Sequence, residues 1–205
     1  MQMVVRLIVA VIFGANFGAL TALWFGGMIS GEPSIGQAIN INNWESDWSI
    51  GSESANPYVR ARVARNGLLG LRKEEAVYFL KTVDESGEPL REVCTYRVSG
   101  GTLPAGWWSI TLYDSDSRLP MNEDAHLSFD QTQAAQLTDG GLTAWAFQIS
   151  ATAPEAGAAW VSSKAGGLFD LTLRLYQPDQ ALLDDPAATL KPPRIERLSC
   201  DEGAS

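Results

Sequence analysis

Hydrophobic and polar positions fall into two regimes along this chain. From Leu7 to Ile29 there is no formal charge, and only Asn16 and Thr21 are overtly polar. A bilayer core takes about 20 apolar residues of helix to cross, so this run predicts a membrane-spanning helix. Residues 31–53 mix Gly, Pro, Asn and Ser with scattered Ile and Trp, a tether of which part packs on the folded domain. A short amphipathic helix comes next. Ser54 or Asn56 caps it, Pro57 stands in its first turn, and Gly67 or Gly70 closes it. Tyr58, Val59, Val63 and Leu69 share one side, and Arg60, Arg62 and Arg65 lie elsewhere on a solvated face.

From Ala76 the period becomes that of strands. Ala76–Val83 is rich in β-formers, Asp84 to Gly87 is a turn, and Pro89–Val98 is expected to pair back on it. Further strands are expected at Trp107–Tyr113, Leu127–Phe129, Leu142–Ala151 and Arg194–Leu198. Leu168–Tyr176 alternates cleanly, with Phe169, Leu171, Leu173 and Leu175 on the buried face and Asp170, Thr172, Arg174 and Tyr176 on the other. Hairpin-like spacings with no helices between strands predict a mainly β fold, an antiparallel β-sandwich. The expected organisation is an anchor over 1–30, a tether over 31–53, the β domain over 54–200 and a tail over 201–205.

The apolar run has two readings, an uncleaved signal-anchor or a cleaved secretory signal. Its length exceeds the roughly 7–15 apolar residues of a cleaved signal, and Met28 before Ser30 makes a poor cleavage site, which favours the anchor. Arg6 precedes the run and Glu32 comes after it, so the positive-inside rule expects a cytoplasmic N-terminus. Residues 31–205 then face the periplasm, with the chain held in a bacterial inner membrane. Ala10, Gly14, Gly18, Ala22 and Gly26 recur every fourth residue. That spacing suits a homodimer packed through the membrane helix, and it also reflects how common Gly and Ala are in such helices.

A net charge of −9 argues against nucleic acid as a partner. Cys94 and Cys200, beyond the anchor, are either a disulfide in an oxidising compartment or two thiols. No metal site and no cofactor is expected: there is one histidine, no C-x-x-C spacing and no Gly-rich phosphate loop. Candidate catalytic groups are equally sparse. His126 has Asp124, Ser128 and Asp130 as neighbours but no nucleophile elbow. Asp114 and Asp116 begin like a calcium loop that Arg118 interrupts, so a turn is expected there.

The series from Asn56 to Phe79, Asp84-x-x-Gly87-x-Pro89-Leu90, Leu103 to Asp114, Asn122, and the run Leu171–Asp179 with Pro192–Leu198 resembles the bacterial family called domain of unknown function 1214. The resemblance spans roughly residues 56–198. It implies a jelly-roll-like sandwich and carries no established activity. Relatives are often fused to a companion domain (unknown function 1254) that this sequence lacks. It also departs from the family at Trp160–Gly167, where a Trp-Leu-Pro-Ala-Pro stretch is expected.

These observations leave two functional readings. One is a non-catalytic envelope module that binds a carbohydrate, a lipid or a protein. The other is a hydrolase or isomerase that uses carboxylates such as Asp114 with Arg174. In both, the candidate ligand-binding residues are Tyr113, Asp114, Asn122, Arg174 and Tyr176. Burying an unpaired guanidinium is costly, so Arg174 is expected to bond a group from residues 113–122 beside a shallow polar cleft.

Overall fold

The computed structural model describes residues 2–29, 36–52, 55–65, 70–138, 140–154 and 158–201. They form two compact units, Met1–Ala38 with Asp47–Gly70 and Ile39–Ser46 with Leu71–Ser205. Ser54, Gly67 and Leu69, expected at the ends of the short helix, lie outside the described residues.

The first unit contains helix α1 (Gln2–Phe25) and helix α2 (Pro57–Arg65). α1 is long and apolar enough to cross a membrane. It stops before the end of the apolar run because Gly27 takes a left-handed φ of 74°. Met28 N–H then reaches Leu23 O and Gly27 N–H reaches Trp24 O, which satisfies carbonyls the helix leaves open. In α2 the Asn56 side chain accepts from Tyr58 N–H at 2.9 Å, and Val59 is buried. The Tyr58 ring lies tilted against Phe25 with centres 5.5 Å apart, and Arg62 Nε donates to Phe25 O, so this arginine is not simply solvated.

The second unit is mainly β. Its strands are β1 (Ala38–Ile41), β2 (Trp44–Asp47), β3 (Ala76–Lys81), β4 (Cys94–Gly100), β5 (Ala105–Asp114), β6 (Ser128–Asp130), β7 (Trp145–Ser150), β8 (Trp160–Ser162), β9 (Phe169–Pro178) and β10 (Arg194–Cys200). They form a six-stranded sheet in the order β1-β2-β3-β9-β5-β6 and a four-stranded sheet in the order β10-β4-β7-β8. β1 and β2 arise within the expected tether, where Asn42 and Asn43 both take positive φ and turn the chain back, a hairpin geometry that Asn tolerates. Trp44 anchors the hairpin: it is fully buried and its indole N–H donates to Pro193 O at 2.8 Å.

Three expectations are corrected. Residues 76–83 and 89–98 do not form a hairpin. β3 pairs with β9 and β4 with β10 and β7, in different sheets, and only the bridge Val83–Pro89 joins the two segments. The Asp84 carboxylate gathers Ser86 N–H, Ser86 O–H and Glu88 N–H into the turn that closes this bridge. The divergence follows at Leu90, whose carbonyl accepts from Phe169 N–H while Glu92 N–H donates to Gly167 O, so the returning segment is taken up by the start of β9. Short helices do interrupt the strands, α3 (Gln131–Leu137), α4 (Gln180–Asp184) and α5 (Pro186–Thr189). α3 starts at a reciprocal capping box, with Asp130 accepting from Gln133 N–H and Gln133 accepting from Asp130 N–H. Finally, the four-stranded sheet is mixed, since β7 and β8 run parallel. Trp160 holds that return by donating to Ser150 O at 3.0 Å.

The apolar face of β9 is buried from Phe169 to Leu175, together with Trp108, Ile110 and Leu112 of β5. Aromatic contacts cross from one sheet to the other: Trp108 stacks on Trp145 at 4.6 Å and Phe129 on Phe147 at 4.5 Å. Cys94 and Cys200 are cross-strand partners joined by a disulfide.

Candidate functional site

The alternation that buries the leucines of β9 turns Asp170, Thr172, Arg174 and Tyr176 to the opposite face of the six-stranded sheet. The antiparallel register sets Tyr113 beside Asp170, Thr111 beside Thr172, Ser109 beside Arg174 and Trp107 beside Tyr176. On the other flank Tyr78 of β3 stands beside Arg174. Two neighbouring strands therefore line β9 with aromatic and hydroxyl side chains.

Arg174 is the centre of this face. Its Nη2 donates to the Tyr113 hydroxyl at 2.6 Å, and its guanidinium carbon lies 5.2 Å from the Tyr113 ring and 6.0 Å from the Tyr78 ring. Both separations fall within the reach of cation–π attraction. Burial raises the Tyr78 hydroxyl above its ordinary value, Tyr176 adds to this, and Arg174 opposes it. Tyr176 and Trp107 have ring centres 5.4 Å apart, and Trp107 remains 38% exposed.

Asp170 is the acidic member that sequence reasoning placed on this face without singling out. Burial pushes its carboxyl from 3.8 up to about 7; the charge of Asp114 adds to the shift, while the Thr172 hydroxyl and Arg174 work against it. A carboxyl that gains and loses its proton near neutrality beside a fixed cation is a feature of functional sites. The clean alternation of β9 is the signal that located it.

The predicted site residues divide. Tyr113, Arg174 and Tyr176 lie on this face, with a direct bond between the first two. Asp114 turns its carboxylate to its own loop, accepting from Asp116 N–H at 2.9 Å and Arg118 N–H at 2.8 Å, so it touches the site only through its charge on Asp170. Asn122 serves another purpose: its amide donates to Lys164 O at 2.7 Å. There it helps to hold the segment that departs from the family pattern, which Glu92 also grips through Ala165 N–H and Gly167 N–H. The His126 ring tilts against Trp160 at 5.4 Å, and its backbone carbonyl accepts from Ser162 N–H. Among the described residues no group of three or more His, Cys, Asp or Glu is placed to hold a metal.

No curated protein matches the chain. Among solved structures, the VPA0106 protein from Vibrio parahaemolyticus is similar, with a TM-score of 0.58, 17% identity, and 91% of this chain covering 44% of that one. The likeness shows a shared fold, and this chain spans less than half the length of that neighbour. A putative uncharacterised protein from Burkholderia cenocepacia aligns at a TM-score of 0.39 and 12% identity, over 60% of this chain and 29% of that one. The family model described as protein of unknown function (DUF1214) matches residues 75–180. That match takes in β3, the Asp84 turn, β5 and all of β9, the same strands that build the Arg174 face, and by it the chain belongs to the DUF1214 family.

Proposed function

We propose that this protein is a membrane-anchored binding module of the bacterial envelope, with the Arg174 face as its ligand surface. In this reading α1 is an uncleaved anchor in the inner membrane, and the two sheets form a jelly-roll-like sandwich displayed in the periplasm. The stripe from Ala10 to Gly26 is a contact surface for a second anchor helix. The ligand class that the face suits best is a carbohydrate. A sugar ring has an apolar C–H face and a polar rim; the half-exposed Trp107 beside Tyr176 offers the first a platform, and the part-buried Arg174, Tyr113 and Asp170 offer the second donors and acceptors. The observation that carries the reading is the guanidinium fixed between two tyrosine rings on an accessible sheet face.

The test is a glycan array probed with the full chain in lipid nanodiscs, followed by titration of retained N-acetylglucosamine or glucose oligomers. Trp107→Ala and Arg174→Ala are each expected to weaken binding about tenfold or more, roughly 1.4 kcal/mol. Retention of no glycan, or retention by both variants as strong as that of the unaltered protein, overturns the proposal.

One observation supports the alternative, a hydrolase or isomerase acting on an envelope carbohydrate or lipid: Asp170 titrates near neutrality, as a general acid or base must. Release of reducing ends from a retained oligomer, abolished by Asp170→Asn, would favour it over simple binding.

A further inference from the structure

The outward face of the four-stranded sheet carries a concavity built from residues other than those of the Arg174 face. Across this sheet Arg194 of β10, Ser99 of β4 and Ala146 of β7 stand on one rung, and Glu196, Arg97 and Gln148 on the next. The short side chains of Ser99 and Ala146 leave a depression between taller neighbours. The resulting trough has a volume of about 1080 Å³, just above the roughly 300–1,000 Å³ of typical small-molecule sites.

Its chemistry runs against that of the chain. The protein holds 24 acidic against 15 basic residues. Yet the trough is lined by Arg97, Lys191 and Arg194, and no described carboxylate lines it. Glu196 shares this face of the sheet, opposite Arg97 in the register. Arg194 makes only a long ionic contact, 3.8 Å to Glu85, and that carboxylate already binds Lys81 at 2.7 Å. The walls add an apolar element, because Leu137 and Leu198 both line the trough and remain 49% and 55% exposed.

We propose that this trough binds an amphiphilic anion, with a phosphate or carboxylate head against Arg97, Lys191 and Arg194 and a short apolar stem along Leu137 and Leu198. Three cations around a floor of small side chains attract charge, and the two leucines reward removal of a hydrocarbon from water. The trough shares no residue with the Arg174 face, so this proposal stands or falls independently of the carbohydrate reading.

Hexyl phosphate is the probe, titrated calorimetrically into the full chain in phosphatidylcholine nanodiscs with empty discs as background. Inorganic phosphate and hexanol test the head and the stem alone. Short-chain phosphatidylglycerol separates a lipid source from a soluble one: tighter binding than hexyl phosphate assigns the trough to lipid, and weaker binding assigns it to a soluble ester. Hexyl phosphate is expected to bind about tenfold more tightly than either fragment. The Arg97→Gln/Lys191→Gln variant is expected to lose that advantage, as is Ala146→Leu, which fills the trough without altering charge. Arg91→Gln, a change of the same charge type outside the trough, should leave binding intact, and unchanged circular dichroism excludes misfolding. Equal binding by inorganic phosphate, or full binding by both trough variants, overturns the proposal.

Discussion

Arg174 and Asp170 lie four positions apart on one strand face and meet opposite electrostatic conditions. The guanidinium is spread over two ring faces and bonded to a hydroxyl, so its charge is accommodated without a carboxylate partner. The Asp170 carboxyl is buried near the charge of Asp114, and its ionisation is opposed. Because its folded value near 7 exceeds the ordinary 3.8, the folded state holds a proton that the unfolded chain releases between those two values. Stability therefore falls as pH rises through that window. Asp170→Asn is expected to raise the melting temperature at pH 8 and to change it little below pH 4, with an upper bound near 4 kcal/mol from about 1.4 kcal/mol per pH unit. Thermal melts of both proteins from pH 4 to 8 check this, and an equal effect at every pH would refute the assignment. The opposite case stands at Asp84 and Glu85. Burial raises both, but hydrogen bonds and nearby basic side chains outweigh it and hold both below the ordinary carboxylate range. Arg197 lies 2.9 Å from Asp84 as an ion pair, and Lys81, almost fully buried, is satisfied by Glu85 and Asn42 O.

At the scale of elements, β4 depends on partners distant in sequence. Its pairing with β10 is reinforced by the Cys94–Cys200 disulfide, which links residues 106 positions apart. A disulfide typically contributes about 2–4 kcal/mol of stability. The unreduced protein in denaturant is expected to leave both cysteines unlabelled by a thiol reagent, and Cys94→Ser/Cys200→Ser to lower stability by about that amount. Quantitative labelling without reductant overturns the bond. Strand content was legible wherever apolar and polar positions alternate, and β9 is the clearest case. Its neighbours were not, because period reports which face a residue takes and carries nothing about pairing. α3 was missed although Asp130 and Gln133 spell a capping box, since seven residues give too little helical period to register. β1 and β2 were absorbed into the tether because Asn-Asn is a weaker hairpin signal than Asn-Gly.

For the whole molecule, the sequence made the apolar α1 evident and left the environment of that helix to experiment. The full chain is expected to sediment with membranes and to resist alkaline carbonate, a chain lacking residues 1–29 to remain in the supernatant, and the mature N-terminus to be Met1. A mature N-terminus near Gly31 would turn the anchor into a cleaved signal. The candidate site was legible in part, because Tyr113, Arg174 and Tyr176 emerge from strand parity. Asn122 and the Asp114 carboxylate went elsewhere because loop hydrogen bonds, which parity does not encode, claimed them. Tyr78 joined the site only through the pairing of β3 with β9.

That pairing bears on the order in which the protein can assemble. β9 lies in the middle of its sheet, between β3 and β5, yet it is synthesised after both. β10 likewise flanks β4 across nearly a hundred residues of chain. A ribosome or translocon that delivers the chain from N- to C-terminus thus releases β3 and β5 with one ladder edge each unfilled, and no early fragment is a complete sheet. Sheet closure waits for Phe169–Pro178, and until then the exposed edges are surfaces on which a holding chaperone can act.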